Sequence, residues 1–292
     1  MIKKKRKGII LSGGLGTRLF PSTLVTSKQL IPIYDKPMIY YPLSILMLAE
    51  IREILIIVTP RDLLQFKNLL GDGKKWGIKI SYIIQKKPKG LADALILSEK
   101  FLDGSPSVLI LGDNIFYGSD LESVLLNSSK ENNIGATIFA YHVNNPEDYG
   151  IINFGTKGNI LNIVEKPKVP KSNYAVTGLY FYDSDASKYA KELKPSKRNE
   201  LEITDLNNMY LKKNILNIVK LGRGNAWLDT GMHENIMEAS NFIYNIEKRQ
   251  GLKICCPEEI AFKKKWISKK KLAEIIKPLM KNEYGKYLKN LI

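Results

Sequence analysis

Four short apolar runs constrain this chain more than any other feature: KGIIL (7–11), EILIIV (53–58), IKISYII (78–84) and SVLILG (107–112). Each is rich in Ile, Val and Leu with little polar alternation, the pattern of a strand covered on both faces. Between them, residues 40–51, 61–70, 91–102 and 119–132 carry apolar side chains at helical spacing. Strand and helix in alternation predict a mixed, mostly parallel central sheet flanked by helices, with ligands at the carboxyl ends of the strands. From about residue 135 the rhythm changes, and ATIFAYHV, GIINF, NILNIVEKP and YAVTGLYFY follow one another through short turns. These predict antiparallel additions. LEITDLNNMYLKKN predicts a helix with Thr204 as its N-cap, residues 231–249 another, and two short basic helices close the chain beyond Pro257. The expected organisation is one α/β domain over 1–250, in halves of about 1–134 and 135–250, with a helical C-terminal appendage at 251–292.

A length of 292 residues is enough to bury a full core. The net charge is +16, from 45 Lys and Arg against 29 Asp and Glu, which raises the question of a polyanionic partner. The excess is spread along the chain and clusters only at Lys3–Lys7 and Lys263–Lys271, with no nucleic-acid recognition module beside it. It is read as solvated surface, and neither nucleic acid nor membrane is expected as a partner. Cys255 and Cys256 are the only cysteines, too few for a disulfide framework or a four-ligand zinc site. The apolar segment behind the basic N-terminus is too short for a signal peptide, and no run approaches the length of a membrane span. A soluble cytoplasmic protein is expected.

The stretch GIILSGGLGTRLFPSTLVTSKQLIPI (8–33) leaves the first strand through Gly13, Gly14 and Gly16 and then presents Thr17, Arg18 and Lys28. It has Leu19 where a dinucleotide fingerprint has its third glycine, and it lacks the GK[ST] ending of a P-loop. A glycine turn after a buried strand still offers backbone N–H groups to an anion, and Arg18 and Lys28 would add charge from the same side. A tight turn alone leaves Arg18 without a task.

This opening, followed in order by LLGDGKKWGI, LGDNIFYG, VEKPKVPKSNYAVTGLYFYD, ELEITDLN, WLDTG and CPEEIA, resembles the sugar nucleotidyltransferases. Among them it is most similar to the short bacterial thymidylyltransferases of deoxysugar pathways. The resemblance runs from residue 7 to the C-terminus. It implies a Rossmann-like fold, a nucleotide-binding first half, a sugar-binding second half, and transfer of a thymidylyl group from dTTP to glucose 1-phosphate with release of pyrophosphate. Attack on the α-phosphorus needs two polyanions positioned and neutralised, and no general base, because a phosphomonoester has its second pKa near about 6.

The resemblance assigns Gly13, Gly14, Gly16, Thr17, Arg18 and Lys28 to the triphosphate, and Gln85 and Gly90 to the base. Arg18 suits a departing pyrophosphate because its planar fork pairs with phosphate oxygens. Asp113 and Asp229 are implied as ligands of Mg2+, which takes one or two carboxylates beside phosphates and water. Tyr149, Gly150, Glu165, Lys166 and Val176 are implied for the sugar, Glu165 accepting from hydroxyls and Lys166 holding the monoester phosphate. A homotetramer and a second, regulatory nucleotide site are also implied, the latter through Tyr117, Gly118, Arg223, Glu259 and Ile260. The chain departs from the pattern at Asp93, Leu95 and Glu122, where glutamine, an aromatic residue and histidine are more usual.

Overall fold

The computed structural model describes residues 4–131 and 134–292; Lys3 of the basic cluster and Asn132 of the expected 119–132 helix lie outside the described residues. Strands in chain order are β1 (Lys7–Ser12), β2 (Pro32–Ile33), β3 (Lys36–Pro37), β4 (Glu53–Val58), β5 (Lys79–Ile84), β6 (Ser107–Leu111), β7 (Asn114–Tyr117), β8 (Ala136–His142), β9 (Gly150–Phe154), β10 (Ile160–Glu165), β11 (Tyr174–Tyr182), β12 (Leu216–Lys220) and β13 (Ala226–Asp229). Helices are α1 (Tyr40–Leu48), α2 (Leu63–Leu70), α3 (Asp93–Leu97), α4 (Glu99–Leu102), α5 (Leu121–Glu131), α6 (Ala186–Glu192), α7 (Ile203–Lys212), α8 (His233–Gln250), α9 (Pro257–Lys263), α10 (Lys269–Ile276) and α11 (Glu283–Lys289). The fold is a mixed sheet flanked by helices.

The chain divides into two compact units. Unit one runs up to Leu11 and adds Lys87–Ile110 and Gly118–Trp227; unit two comprises Ser12–Lys86, Leu111–Tyr117 and Leu228–Ile292. In unit one, β10, β9, β11, β6 and β1 lie in that order, with β8 also on β11 and β12 on β8. The pairs β10–β9, β11–β6 and β11–β8 are antiparallel, while β12 runs parallel to β8. Every residue of β11 after Tyr174 is buried, so this strand forms the spine of the unit. Arg6 crosses behind it, donating to the carbonyls of Ser107 and Tyr182, and burial pushes its guanidinium down to about 10 despite the charge of Asp183.

In unit two, β4 and β5 pair in parallel from Glu53–Lys79 to Val58–Ile84. Helix α1 buries all of Tyr40–Met47 because it is apolar all round, as a helix enclosed by other elements must be. A second apolar cluster joins Ile33, Met38, Tyr41, Ile115, Ala239 and Ile243. It ties β2, β7 and α8 together, two residues along the chain from Asp113 at Ile115.

Three local expectations change. The 91–102 helix is broken into α3 and α4 at Ser98, whose hydroxyl donates back to the Ala94 carbonyl. Glu202, not Thr204, is the N-cap of α7. Beyond Gln250 there are three helices rather than two, the first starting at Pro257, where a missing N–H costs nothing.

Candidate active site

The glycine turn opens unit two. A Cβ on Gly13 would lie 2.3 Å from Oε1 of Gln85, so only glycine lets the Gln85 amide rest against the turn. Gln85 follows β5 directly, its N–H bonded to the Val58 carbonyl at 2.8 Å, which sets this buried side chain at the carboxyl end of the parallel pair. Gly16 adopts φ 66° and starts a 3-10 turn, Thr17–Leu19. Leu19 is buried and anchors the turn, while Thr17 and Arg18 are exposed. Arg18 makes no ion pair with any described residue.

Lys28 begins another 3-10 turn and is only 8% exposed. Its Nζ donates to Oδ2 of Asp113 at 2.5 Å, and Asn114 Nδ2 donates to Oδ1 at 3.0 Å. Thr230, fully buried, donates both its N–H (3.3 Å) and its hydroxyl (2.8 Å) to the Asp113 carbonyl. Asp229 therefore stands one residue from a backbone tie to Asp113. Asn235 of α8 in turn donates to the Asp229 carbonyl at 2.8 Å. Unit two thus brings together the glycine turn with Gln85, and Lys28 with Asp113 and the Asp229 turn.

Unit one assembles the expected sugar residues. Glu165 ends β10 opposite Gly150 of β9. Its two oxygens are held separately: Thr204 Oγ1 donates to Oε2 at 2.6 Å and Arg198 to Oε1 at 3.2 Å. Arg198 also forks onto Glu202 at 2.8 and 3.2 Å, and the hydrogen bond to Glu202 raises its pKa further. Nearby Asp205 is pushed up by partial burial and by the charges of Glu202 and Glu165. Lys166 leaves the strand with φ 43°, its N–H on the Tyr149 carbonyl at 3.0 Å and its side chain exposed. Tyr149 packs on Trp227 with ring centroids 5.1 Å apart. Val176 is buried in β11, just before the register shift against β8. Gly90 has a reason within the fold: at φ 99°, a Cβ would lie 2.4–2.8 Å from the backbone of Leu201.

Arg198, Thr204, Thr230 and Trp227 belong to these clusters without having been singled out for them. Thr204, Thr230 and Trp227 stand inside the strings ELEITDLN and WLDTG; nothing in the sequence marks Arg198. The expected regulatory residues fall in both units. In unit two, Tyr117 packs on Phe242 and accepts from Gln250, and Glu259 accepts from Tyr287 at 2.7 Å and Lys263 at 2.6 Å beside buried Ile260. In unit one, Arg223 is exposed in a turn, and Gly118 leaves room for the Asn225 side chain.

Asp113 and Asp229 are hard oxygen donors linked through Thr230, which fits a small divalent cation. Among the described residues no group of three or more His, Cys, Asp or Glu could hold a metal alone. Two carboxylates completed by substrate phosphates and water are the usual provision for magnesium. Among the described residues no helix is long and apolar enough to cross a membrane.

A mixed sheet with a glycine turn after its first strand, a paired lysine and aspartate, and a second polar cluster around Glu165 is consistent with a nucleotide-transferring enzyme. The chain belongs to the nucleotidyl transferase family, whose profile matches residues 7–246. A glucose-1-phosphate thymidylyltransferase of Xanthomonas campestris pv. campestris is 57% identical over 284 residues, covering 97% of this chain and 96% of its own. A crystal structure from Bacillus anthracis, assigned as a glucose-1-phosphate thymidylyltransferase and complexed with sucrose, superposes with TM-score 0.74 at 42% identity, over 81% of this chain and 94% of its own. A UDP-glucose pyrophosphorylase complexed with UDP-glucose superposes with TM-score 0.72 at 28% identity, over 83% of this chain and all of its own.

Proposed function

We propose that this protein is a glucose-1-phosphate thymidylyltransferase, joining dTTP to α-D-glucose 1-phosphate to give dTDP-glucose and pyrophosphate. The observation that carries the reading is the Lys28–Asp113 pair tied through Thr230 to the Asp229 turn. It supplies one fixed cation and two carboxylates, the provision a triphosphate and its metal require. Arg18, exposed and without an ion pair among the described residues, supplies a forked cation for the triphosphate. Gln85 offers an amide donor and acceptor matching the N3–H and carbonyl edge of thymine. Glu165 retains free lone pairs for sugar hydroxyls, and Lys166 is the cation for the monoester phosphate.

The attacking oxygen is already ionised near neutral pH, so the side chains orient, neutralise and exclude water rather than move a proton. Enzymes of this class generally use a divalent metal; Asp113 and Asp229 would hold Mg2+, which supplies Lewis-acid neutralisation of the phosphates when bound. The resemblance also supports a cytoplasmic homotetramer at the first step of dTDP-rhamnose synthesis. Residues 251–292 would serve assembly and feedback, and the residues proposed for regulation are Tyr117, Gly118, Arg223, Glu259 and Ile260.

The test is pyrophosphate release from glucose 1-phosphate with each nucleoside triphosphate in turn. Release confined to dTTP supports the proposal. Preference for UTP moves the chain to the uridylyl branch of the same chemistry, and no release with any nucleotide overturns the reading.

A further inference from the structure

We propose that Asn208 is a positioning residue for the sugar-phosphate ligands, an inference that rests on the reading of Glu165 and Lys166 given above. Strand β10 lies at the end of its sheet path, so the outward N–H and C=O groups of Ile163 have no neighbouring strand to pair with. Asn208 of α7 takes the place of that strand. Its Oδ1 accepts from the Ile163 N–H at 2.9 Å, and its Nδ2 donates to the Ile163 carbonyl at 2.8 Å. Only a primary amide offers one donor and one acceptor in that arrangement.

The same helix grips the strand a second time, where Thr204 donates to the Glu165 carboxylate at 2.6 Å. Thr204 and Asn208 are four residues apart on α7, a rise of about 6 Å. Ile163 and Glu165 are two residues apart on β10, an advance of about 6.7 Å. The spacings match, so helix and strand engage at two points and β10 cannot slide against α7 without breaking both. Edge strands are the ones free to slip or fray. At this grip β10 borders an open cleft of about 710 Å³ lined in part by Leu161, Ile163, Lys194, Asp205, Asn208 and Lys212, which would admit water to an unheld strand.

Immediately past the grip, Lys166 turns away at φ 43° with its N–H on Tyr149. Its ammonium is therefore aimed by the last residues of β10. Asn208 touches neither reacting phosphate in this account; it fixes the strand end that carries their ligands. A ligand misplaced by about 1 Å can cost about a hundredfold in rate, so a contact remote from the chemistry can matter to it.

The experiment measures KM for glucose 1-phosphate and for dTTP in the full-length wild type, N208A, N208D and E165Q, using fractions with wild-type circular dichroism. Asn208→Ala should raise the glucose 1-phosphate KM about tenfold while the dTTP KM stays within about twofold. Asn208→Asp keeps the side-chain volume but sets a carboxylate against the Ile163 carbonyl and near Asp205. Its defect should equal or exceed that of alanine, whereas a space-filling role would make aspartate the milder change. Equal changes in both KM values, a loss of kcat alone, or a milder aspartate variant overturns the proposal; should the alanine variant not fold, N208D carries the same comparison. If E165Q raises the sugar KM and the Asn208 variants do not, the positioning role falls while the functional reading stands. If E165Q leaves it unchanged, the reading beneath the proposal is what fails.

Discussion

Asp113→Asn removes one carboxylate from two tasks, the observed pairing with Lys28 and, on the proposed function, the chemistry of the phosphates. The Lys28 side chain is 9% exposed and that of Asp113 is 24% exposed, with 2.5 Å between Nζ and Oδ2. Removing one partner of a fully buried pair costs about 3–5 kcal/mol, because the other charge is left without compensation. Since Asp113 is partly hydrated, the expected loss for D113N lies at the lower end, about 3 kcal/mol. Lys28→Met should cost only about 1 kcal/mol, since Asp113 keeps its water and the bond from Asn114. The double variant strands no charge and should lose about 2 kcal/mol, a coupling of about 2 kcal/mol between the two sites. In a chain of this size each kcal/mol moves Tm by about 2 °C, so D113N should melt about 6 °C low and the double variant about 4 °C low. Thermal unfolding followed by circular dichroism reads all three. Pyrophosphate release should fall by about two to three orders of magnitude in D113N and should not recover in the double variant. A double variant that melts below D113N would refute the electrostatic account, and D113N turnover within about tenfold of wild type would refute the assignment of Asp113 to the reaction.

Gly13→Ala should fold normally, because its clash is with the movable end of Gln85, yet raise the nucleotide KM as that amide is displaced; an unchanged KM in steady-state kinetics would remove Gln85 from base recognition. Glu247, 3% exposed in its side chain, pairs with both Lys36 and Lys253, so Glu247→Gln should lower stability by about 3 kcal/mol, read as a shifted denaturation midpoint. Burial pushes the Cys255 thiol up to about 12 and that of Cys256 also well up, so both stay protonated at pH 8 and should react with a thiol reagent only on unfolding. The same shifts favour the unfolded chain above about pH 8.5, where exposed thiols ionise and the folded ones do not; rapid labelling of the native protein at pH 8 would contradict them.

The most legible parts of the fold are the strands whose burial is complete; IKISYII reads as covered on both faces too, but β5 ends its sheet path and is only partly buried. EILIIV and SVLILG could be read as strands because both faces are covered, and residues 40–51 as a helix from the spacing of their apolar side chains, although in α1 even Ser44 is enclosed. Short pairings such as β2 with β3 carry no periodicity and emerge only from the fold. Thr204 illustrates how a local rule is overridden: its hydroxyl has the chemistry of a helix cap, but as the second residue of α7 it meets a carboxylate delivered by β10. Arg198 was invisible for the opposite reason. Its neighbour Glu202 is a local partner that any basic residue at that spacing could have, and only the tertiary fold brings Glu165 to it. Lys28 and Asp113 were readable as separate candidates, but not their bond across 85 positions of sequence.

The junction between Gly90 and Leu201 has a mechanical meaning. Leu201 donates to the Lys89 carbonyl at 2.7 Å and accepts from the Ala92 N–H at 3.1 Å, and the bare face of Gly90 is pressed into the same backbone. The two segments form a seam with no side chain between them to act as a cushion. Residues 89–92 therefore cannot loosen alone: any give there is transmitted to the stretch that carries Arg198 and Glu202, and a single methyl group at position 90 would pry open both.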